Sequence, residues 1–462
     1  MTQFRRAQLP RIAILLISCV IANHGIAAAQ KVSEASLRER LEQIANSYTA
    51  DNTFMGSVLV ARGNEILLNK GYGKAIVEQN IPNDPNTKFR IGSLTKQFTA
   101  ALVLLLQQDG KLRIEDPVRK YLADAPKSWD KITLTEILGH NSGIPEIQSD
   151  PRFRSWAMSP HSHAEEFALF KDRPLNFEPG SKNEYSNSNY LVLGAVIEKV
   201  TGEDYGTLLR NRIFKPLGMN DSGVDKDGLV LPKRAQGYNN NNGRLEPAPS
   251  ESMSVPWSAG SIYSTANDLL RWERGLFGGK VLSAASFKAM TTPGKVSHGF
   301  GVGVTTEDGM KLVEHNGAIE GFVAHLAYLP EPRIAIIVLS NVFGGAPPAM
   351  GNQLVEAMLG KTVVLARERK AVPISKEDLA KFEGTYQMSS GMSFAFTARG
   401  DSLEMNAAGT IAPLLYQGVR EGHPRFYVAM IDGEIEFVPD PSGAMTTVLS
   451  HQHENEQSGR RR

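Results

Sequence analysis

The 462 residues carry 50 basic and 49 acidic side chains, for a net charge of +1, with 41% hydrophobic and 21% charged residues. That balance excludes a disordered chain and leaves no electrostatic footprint for nucleic acid; no basic stripe supplies one. The length exceeds what one ordinary core fills, so two domains are expected.

Arg5, Arg6 and Arg11 precede a short apolar stretch, Ile12 to Ile21, and then Ala27-Ala28-Ala29. This order predicts a secretory signal segment over 1–29, cleaved after Ala29, and export to the periplasm or beyond. Leu16-Ile17-Ser18-Cys19 offers the alternative of a lipoprotein anchored through Cys19, the chain's single cysteine. Cleavage at Ala29 leaves no thiol for a disulfide or a cysteine nucleophile. No later stretch is long and apolar enough to predict a membrane span.

Val32 to Thr49 has helical spacing, with Leu37, Leu41 and Ile44 on one face. Ser57–Val60 and Glu65–Leu68 flank Gly63-Asn64, a hairpin signal, and Phe322–Leu329 and Arg333–Leu339 flank Pro330-Glu331-Pro332. Sheet segments at both ends of a mainly helical stretch predict an α/β (α+β) domain with antiparallel strands over 30–360. The Asn run at 239–242 is read as loop.

Charged residues and Pro373 mark 361–374 as a linker. Beyond it, period-two apolar positions from Phe394 to Leu449, separated by turn signals, predict a small all-β, barrel-like domain over 375–450. The polar stretch 451–462 is expected to be a frayed tail.

A serine alcohol needs a neighbouring base to become a nucleophile. Residues three apart share a helical face, so Ser93-Leu94-Thr95-Lys96, at the head of the apolar run Phe98–Leu106, places such a base within reach. Free amides in the first helical turn favour developing negative charge there, and a desolvated Lys96 could lose its proton near neutrality. A second copy, Ser128-Trp129-Asp130-Lys131, lacks a following apolar helix. Tyr185-Ser186-Asn187 supplies a phenol to relay protons and an amide to hold a carbonyl, ahead of a helix expected over Tyr190–Val200. Tyr238-Asn239-Asn240 repeats the spacing by coincidence. His315-Asn316-Gly317 follows a strand-like run, 311–314, and brings the backbone N–H of Ala318 into play. Amides of Ser93 and Ala318 would then form an oxyanion hole.

With these motifs in this order, the chain resembles the penicillin-binding-protein-like serine hydrolases, the family of class C β-lactamases, D-alanyl-D-alanine peptidases and related esterases. The resemblance spans about residues 35–345 and includes Phe89–Thr99, Ile132–Pro145, Glu178-Pro179-Gly180 and Ala259–Thr265. It implies a β-lactamase/transpeptidase-like fold with Ser93, Lys96 and Tyr185 catalytic. Asn187, His315, Gly317 and Ala318 would bind a small acyl substrate: peptide, ester or β-lactam. No metal or organic cofactor is implied. The third motif departs from the Lys-Thr-Gly of β-lactamases proper, since His315 replaces the fixed cation that would meet a substrate carboxylate.

The expected activity is hydrolysis of an amide or ester through a Ser93 acyl-enzyme, as a D-amino-acid peptidase, carboxylesterase or weak β-lactamase. The alternative is a receptor that binds penicillin or wall peptides without turnover. His161-Ser162-His163 with Glu165 and Glu166 is read as a solvated loop and helix start, and His140 as a packed loop residue. His298 and His325 are placed in or beside the sheet.

Overall fold

Along strand β1 (Gly56–Arg62), Val58 and Val60 alternate with Leu59 and Ala61, and all four are buried. Period two sends these pairs to opposite faces of the sheet, so both faces must be covered. Val58 and Val60 pack with Leu41 and Ile44 of helix α1 (Glu34–Ser47), while Leu59 and Ala61 join the larger helical core. The computed structural model describes residues 34–462 apart from 242, 295–297, 408, 453 and 454. The expected signal segment and Cys19 lie outside the described residues.

β1 forms a hairpin with β2 (Glu65–Tyr72). After β2 comes the helical section, in which α2 (Thr95–Gln108) and α3 (Asn187–Thr201) pack together and α4 (Ala266–Phe277) returns the chain to the sheet. Four strands then complete the sheet: β3 (Gly303–Glu307), β4 (Met310–Ile319), β5 (Phe322–Leu329) and β6 (Ile334–Ser340). Their order is β3-β4-β5-β6-β1-β2, antiparallel throughout, with β6 pairing β1 so that Val338 faces Val58. Helix α5 (Ala346–Met358) covers the same face as α1. This is the expected antiparallel α/β architecture.

α2 is buried from Thr95 to Leu106 without a break, the environment of a helix enclosed on all sides. Its N-terminus meets the free edge of β4. Two glycines make that meeting possible. A methyl group on Gly317 would lie 1.9 Å from the carbonyl oxygen of Ile91, and one on Gly92, at φ +51°, would lie 2.8 Å from Ala318 N. Backbone meets backbone there, and no side chain fits between.

The Asn run departs from its reading as loop: Tyr238–Asn241 is a strand paired with Arg244–Pro247. Tyr238 is buried and its hydroxyl accepts from Val77 N–H at 2.8 Å, which makes it a structural tyrosine.

The C-terminal domain is a closed barrel of eight antiparallel strands, β7 (Gly384–Met388), β8 (Ser393–Arg399), β9 (Ser402–Ala407), β10 (Thr410–Arg420), β11 (His423–Val428), β12 (Gly433–Pro439), β13 (Met445–Gln452) and β14 (Asn455–Arg461). Phe382, Phe396, Phe426 and Phe437 fill it with tilted and edge-to-face ring contacts. Of the stretch expected to fray, 451–462, residues 451–452 end β13 and 455–461 form β14, which pairs β13 and β7 and closes the barrel. Its polarity misleads because closure needs ladder hydrogen bonds rather than apolar side chains, and the inward position is Gly459, against Met388 and Val448.

The linker reading also needs correction. Val363 and Leu365 are buried in the α1/α5 core, Glu368 pairs with Arg40 at 2.8 Å, and Val372 N–H donates to Tyr416 of the barrel at 3.0 Å. The segment is docked at both ends.

Candidate active site

Gly92–Leu94 is a 3-10 turn that runs into α2, and no side chain caps it, so Ser93 sits where a helix start presents its amides. One turn on, Lys96 is wholly buried, and its Nζ lies 3.0 Å from Ser93 Oγ. Two further acceptors surround that nitrogen: Asn187 Oδ1 at 2.8 Å and the carbonyl oxygen of Ala259 at 2.9 Å. Burial pulls the Lys96 ammonium down to about 7, with Glu146 opposing the fall.

Tyr185 approaches from the segment before α3, and its hydroxyl donates to Ser93 Oγ at 2.8 Å. Burial pushes the phenol up; the contact with Ser93 opposes this, and the charge of Glu146 adds to it. The ring stacks on His140, with centroids 4.5 Å apart. His140 is therefore more than loop packing, because its ring backs the tyrosine. Its Nδ1 accepts from Ser186 N–H at 3.1 Å, and burial first, then Lys96, keeps the imidazole neutral.

Asn187 is the first residue of α3, so that helix begins three residues before the expected Tyr190. Tyr-Ser-Asn straddles the helix start, which aims the phenol and the amide at one point.

His315 lies on β4 where the edge is open, since β3 begins opposite Glu314. Its Nδ1 is 2.5 Å from the carbonyl oxygen of Asn316, so Nδ1 carries the hydrogen and Nε2 is left as acceptor. Burial, reinforced by Lys96, pulls the imidazole down to about 3. The structure thus brings Ser93, Lys96, Tyr185, Asn187, His315, Gly317 and Ala318 to one place.

A cleft of about 790 Å³ opens over this cluster. Besides Ser93, Tyr185, Asn187, His315 and Ala318, it is lined by Glu251, Glu314, Glu320 and His298. Among the described residues, no Lys or Arg lines it. Burial and Glu320 push the Glu251 carboxyl up to about 7, with Arg90 opposing. Residue spacing gave no signal for these glutamates, nor for the Ala259 carbonyl, because a main-chain acceptor has no residue type to recognise.

The other candidates lie elsewhere. Ser128 is exposed in the 3-10 turn Lys127–Trp129. His161 bonds the carbonyl of Trp156, His163 stacks on Trp257, and Ser162 caps a short helix with Glu165. No cluster of metal-ligand type is found among the described residues. His325 is buried in β5 and bonds Asn316 Oδ1 at 2.7 Å.

Comparison with known proteins agrees with this geometry. Residues 42–358 match the beta-lactamase family model. The chain belongs to the beta-lactamase family. PbpX of Bacillus subtilis (strain 168) is 31% identical over 334 residues, 72% of this chain and 82% of that protein. The octameric penicillin-binding protein homologue from Pyrococcus abyssi covers 91% of this chain and 99% of its own, at 25% identity and a TM-score of 0.66. D-amino acid amidase from Ochrobactrum anthropi SV3, solved with L-phenylalanine amide, covers 70% of this chain and 97% of its own, at 25% identity and a TM-score of 0.61. Beta-lactamase-family membership thus includes similarity to both penicillin-binding and amide-cleaving proteins. Among the described residues, no helix is long and apolar enough to cross a membrane.

Proposed function

We propose that this protein is an exported serine hydrolase that cleaves an amide or ester through an acyl-enzyme on Ser93, and that it prefers substrates with a free amine over those with a carboxylate. The arrangement around Lys96 carries the reading. A neutral amine has two hydrogens and one lone pair. Asn187 Oδ1 and the Ala259 carbonyl accept the two hydrogens, which leaves the lone pair facing Ser93 Oγ at 3.0 Å. With Lys96 drawn down to about 7 and the Tyr185 phenol held protonated, lysine is the base and tyrosine the donor near neutrality.

In acylation, Ser93 Oγ bonds to the acyl carbon and its proton passes to Lys96. The carbonyl oxygen takes the negative charge, held by the amides of Ser93 and Ala318. The bond to the leaving group then breaks, and that group takes a proton through Tyr185, which Lys96 replenishes. The second Nδ2 hydrogen of Asn187, the first being given to Glu146, and His315 Nε2 remain to orient the acyl portion. Water repeats the sequence on the acyl-enzyme and frees Ser93.

Substrate preference rests on the cleft wall. Glu320 faces it, joined by Glu251 and Glu314 as they ionise above the ordinary carboxylate range, and His315 is neutral, so a substrate carboxylate finds repulsion in place of a fixed cation. The similar D-amino acid amidase is solved with L-phenylalanine amide, L-phenylalanine and D-phenylalanine, which share a free amine. The test is a panel of D-amino acid amides, their N-acetylated forms, p-nitrophenyl esters and a chromogenic cephalosporin. Turnover should be higher on the free-amine amides than on their acetylated forms and weakest on the cephalosporin. A cephalosporin turned over fastest would overturn the preference, and one stoichiometric burst on every ester would overturn turnover itself.

A further inference from the structure

Lys96 needs its third direction to point at Ser93, and that depends on which end of the Asn187 amide faces it. The amide oxygen satisfies an N–H of Lys96; the amide nitrogen would oppose it with another donor. Asn187 cannot choose between these by shape, since its two ends are nearly the same size. Something must hold the nitrogen on the far side.

Glu146 does so. Its Oε1 accepts from Asn187 Nδ2 at 3.2 Å, and its Oε2 accepts from the backbone N–H of Asn187 at the start of α3. The carboxylate is itself fixed, because Oε1 also accepts from Gln148 N–H at 3.0 Å. An ionised carboxylate offers only acceptors, so only an amide nitrogen can face it. Resting on the proposed serine-hydrolase reading, we propose that Glu146 is a positioning residue that locks the Asn187 amide with its oxygen on Lys96 and so aims the Lys96 lone pair at Ser93.

Among the described residues, the same carboxylate is the negative charge that acts on Lys96 and props up its ammonium against burial. The other groups facing Lys96 carry no opposing charge. Tyr185 and Tyr190 present rings with centroids 4.9 and 5.6 Å from Nζ, and His140 and His315 are held neutral by burial and by Lys96. Removing the charge of Glu146 therefore lowers the pH at which Lys96 becomes a free base. It also releases the amide, so the rate falls although more base is available.

The experiment measures the rate of Ser93 phosphonylation and the kcat of p-nitrophenyl ester hydrolysis from pH 5 to 9, for wild type, Glu146→Gln and Glu146→Asp. In Glu146→Gln, the limiting rates should fall about tenfold, with KM little changed, and the acid limb should move to lower pH. Glu146→Asp keeps the charge but draws it back by one methylene, so its acid limb should stay while its rate falls. A purely structural role would depress both variants without separating their limbs, and that result overturns the proposal, as do unchanged rates in both. If Glu146→Gln fails to fold, Glu146→Ser takes its place as the uncharged variant: an acid limb left at the wild-type pH, or an undiminished rate, overturns the proposal. Absence of any Ser93 labelling in wild type would instead overturn the serine-hydrolase reading.

Discussion

Lys96 in the hydrolase body and Glu436 in the barrel are both buried, and their neighbours differ in kind. Glu436 is only 5% exposed and is surrounded by partners of opposite character: His423, His451 at 3.2 Å and Arg425 at 2.6 Å. Burial pushes its carboxyl up, yet these contacts more than offset that and hold it below the ordinary value. Lys96 has only neutral acceptors in contact and falls to about 7. The barrel compensates its buried charge by direct contact, while the body leaves one only partly offset, by Glu146, beside a serine. Such burial is costly for stability and useful for chemistry, because it keeps a base ready near neutrality.

The largest effect that sharpens this contrast is on Lys96. Lys96→Met should lower kcat/KM on an activated ester by about 10³ or more, since both base and proton relay are lost. In wild type the rate should rise with pH through about 7, because burial lowers Lys96 and only the neutral amine accepts the Ser93 proton. A pH-rate profile checks this, and a flat profile between pH 6 and 8 would count against lysine as base.

Next comes the barrel. Phe437 contacts Phe382, Tyr386, Phe396 and Phe426, so Phe437→Ala should cost the barrel about 3–5 kcal/mol. Denaturant melts followed by calorimetry should show it, with ester turnover retained while the barrel loosens. A chain ending at Lys370 should likewise keep turnover on a small ester. The cut belongs there because Val363 and Leu365 are part of the body's core. Lost activity in a folded chain of that length would place part of the site in the barrel.

A smaller effect is expected at His315. His315→Lys restores a fixed cation and should shift relative turnover toward carboxylate-bearing substrates by about tenfold. Equal effects on neutral and anionic substrates would show that the position does not meet a carboxylate.

The last concerns Glu273 on α4, buried with Oε2 lacking a partner among the described residues and pushed up to about 8 by burial. Its folded value lies above its unfolded one, so the folded state holds a proton that the unfolded state has released. Stability is then lost as pH rises from about 4.5 to about 8. Glu273→Gln should stabilise the body by about 1–3 kcal/mol above pH 8 and by little near pH 5. Thermal melts at the two pH values check the sign.

Much of the site was legible because it is built from short spacings. Ser93 and Lys96 share one helical turn, Tyr185 and Asn187 bracket a helix start, and Gly317 and Gly92 allow two backbones to touch. The sheet was legible because its strands alternate or run apolar between turn signals. What escaped had no local signature. Glu146 acts across 41 residues, the Ala259 carbonyl across 163, and the cleft glutamates meet only when β4 and the 251 loop converge. β14 was hidden by its polar composition, and the 361–374 segment by charges that dock rather than float.

Reaction with a serine-directed phosphonate, read by intact-protein and peptide mass spectrometry, tests the central assignment most directly. Wild type and Ser128→Ala should each gain one adduct, located on Ser93. Ser93→Ala should gain none. An adduct that persists in Ser93→Ala, or that maps to another serine in wild type, would contradict the assignment of Ser93 as nucleophile.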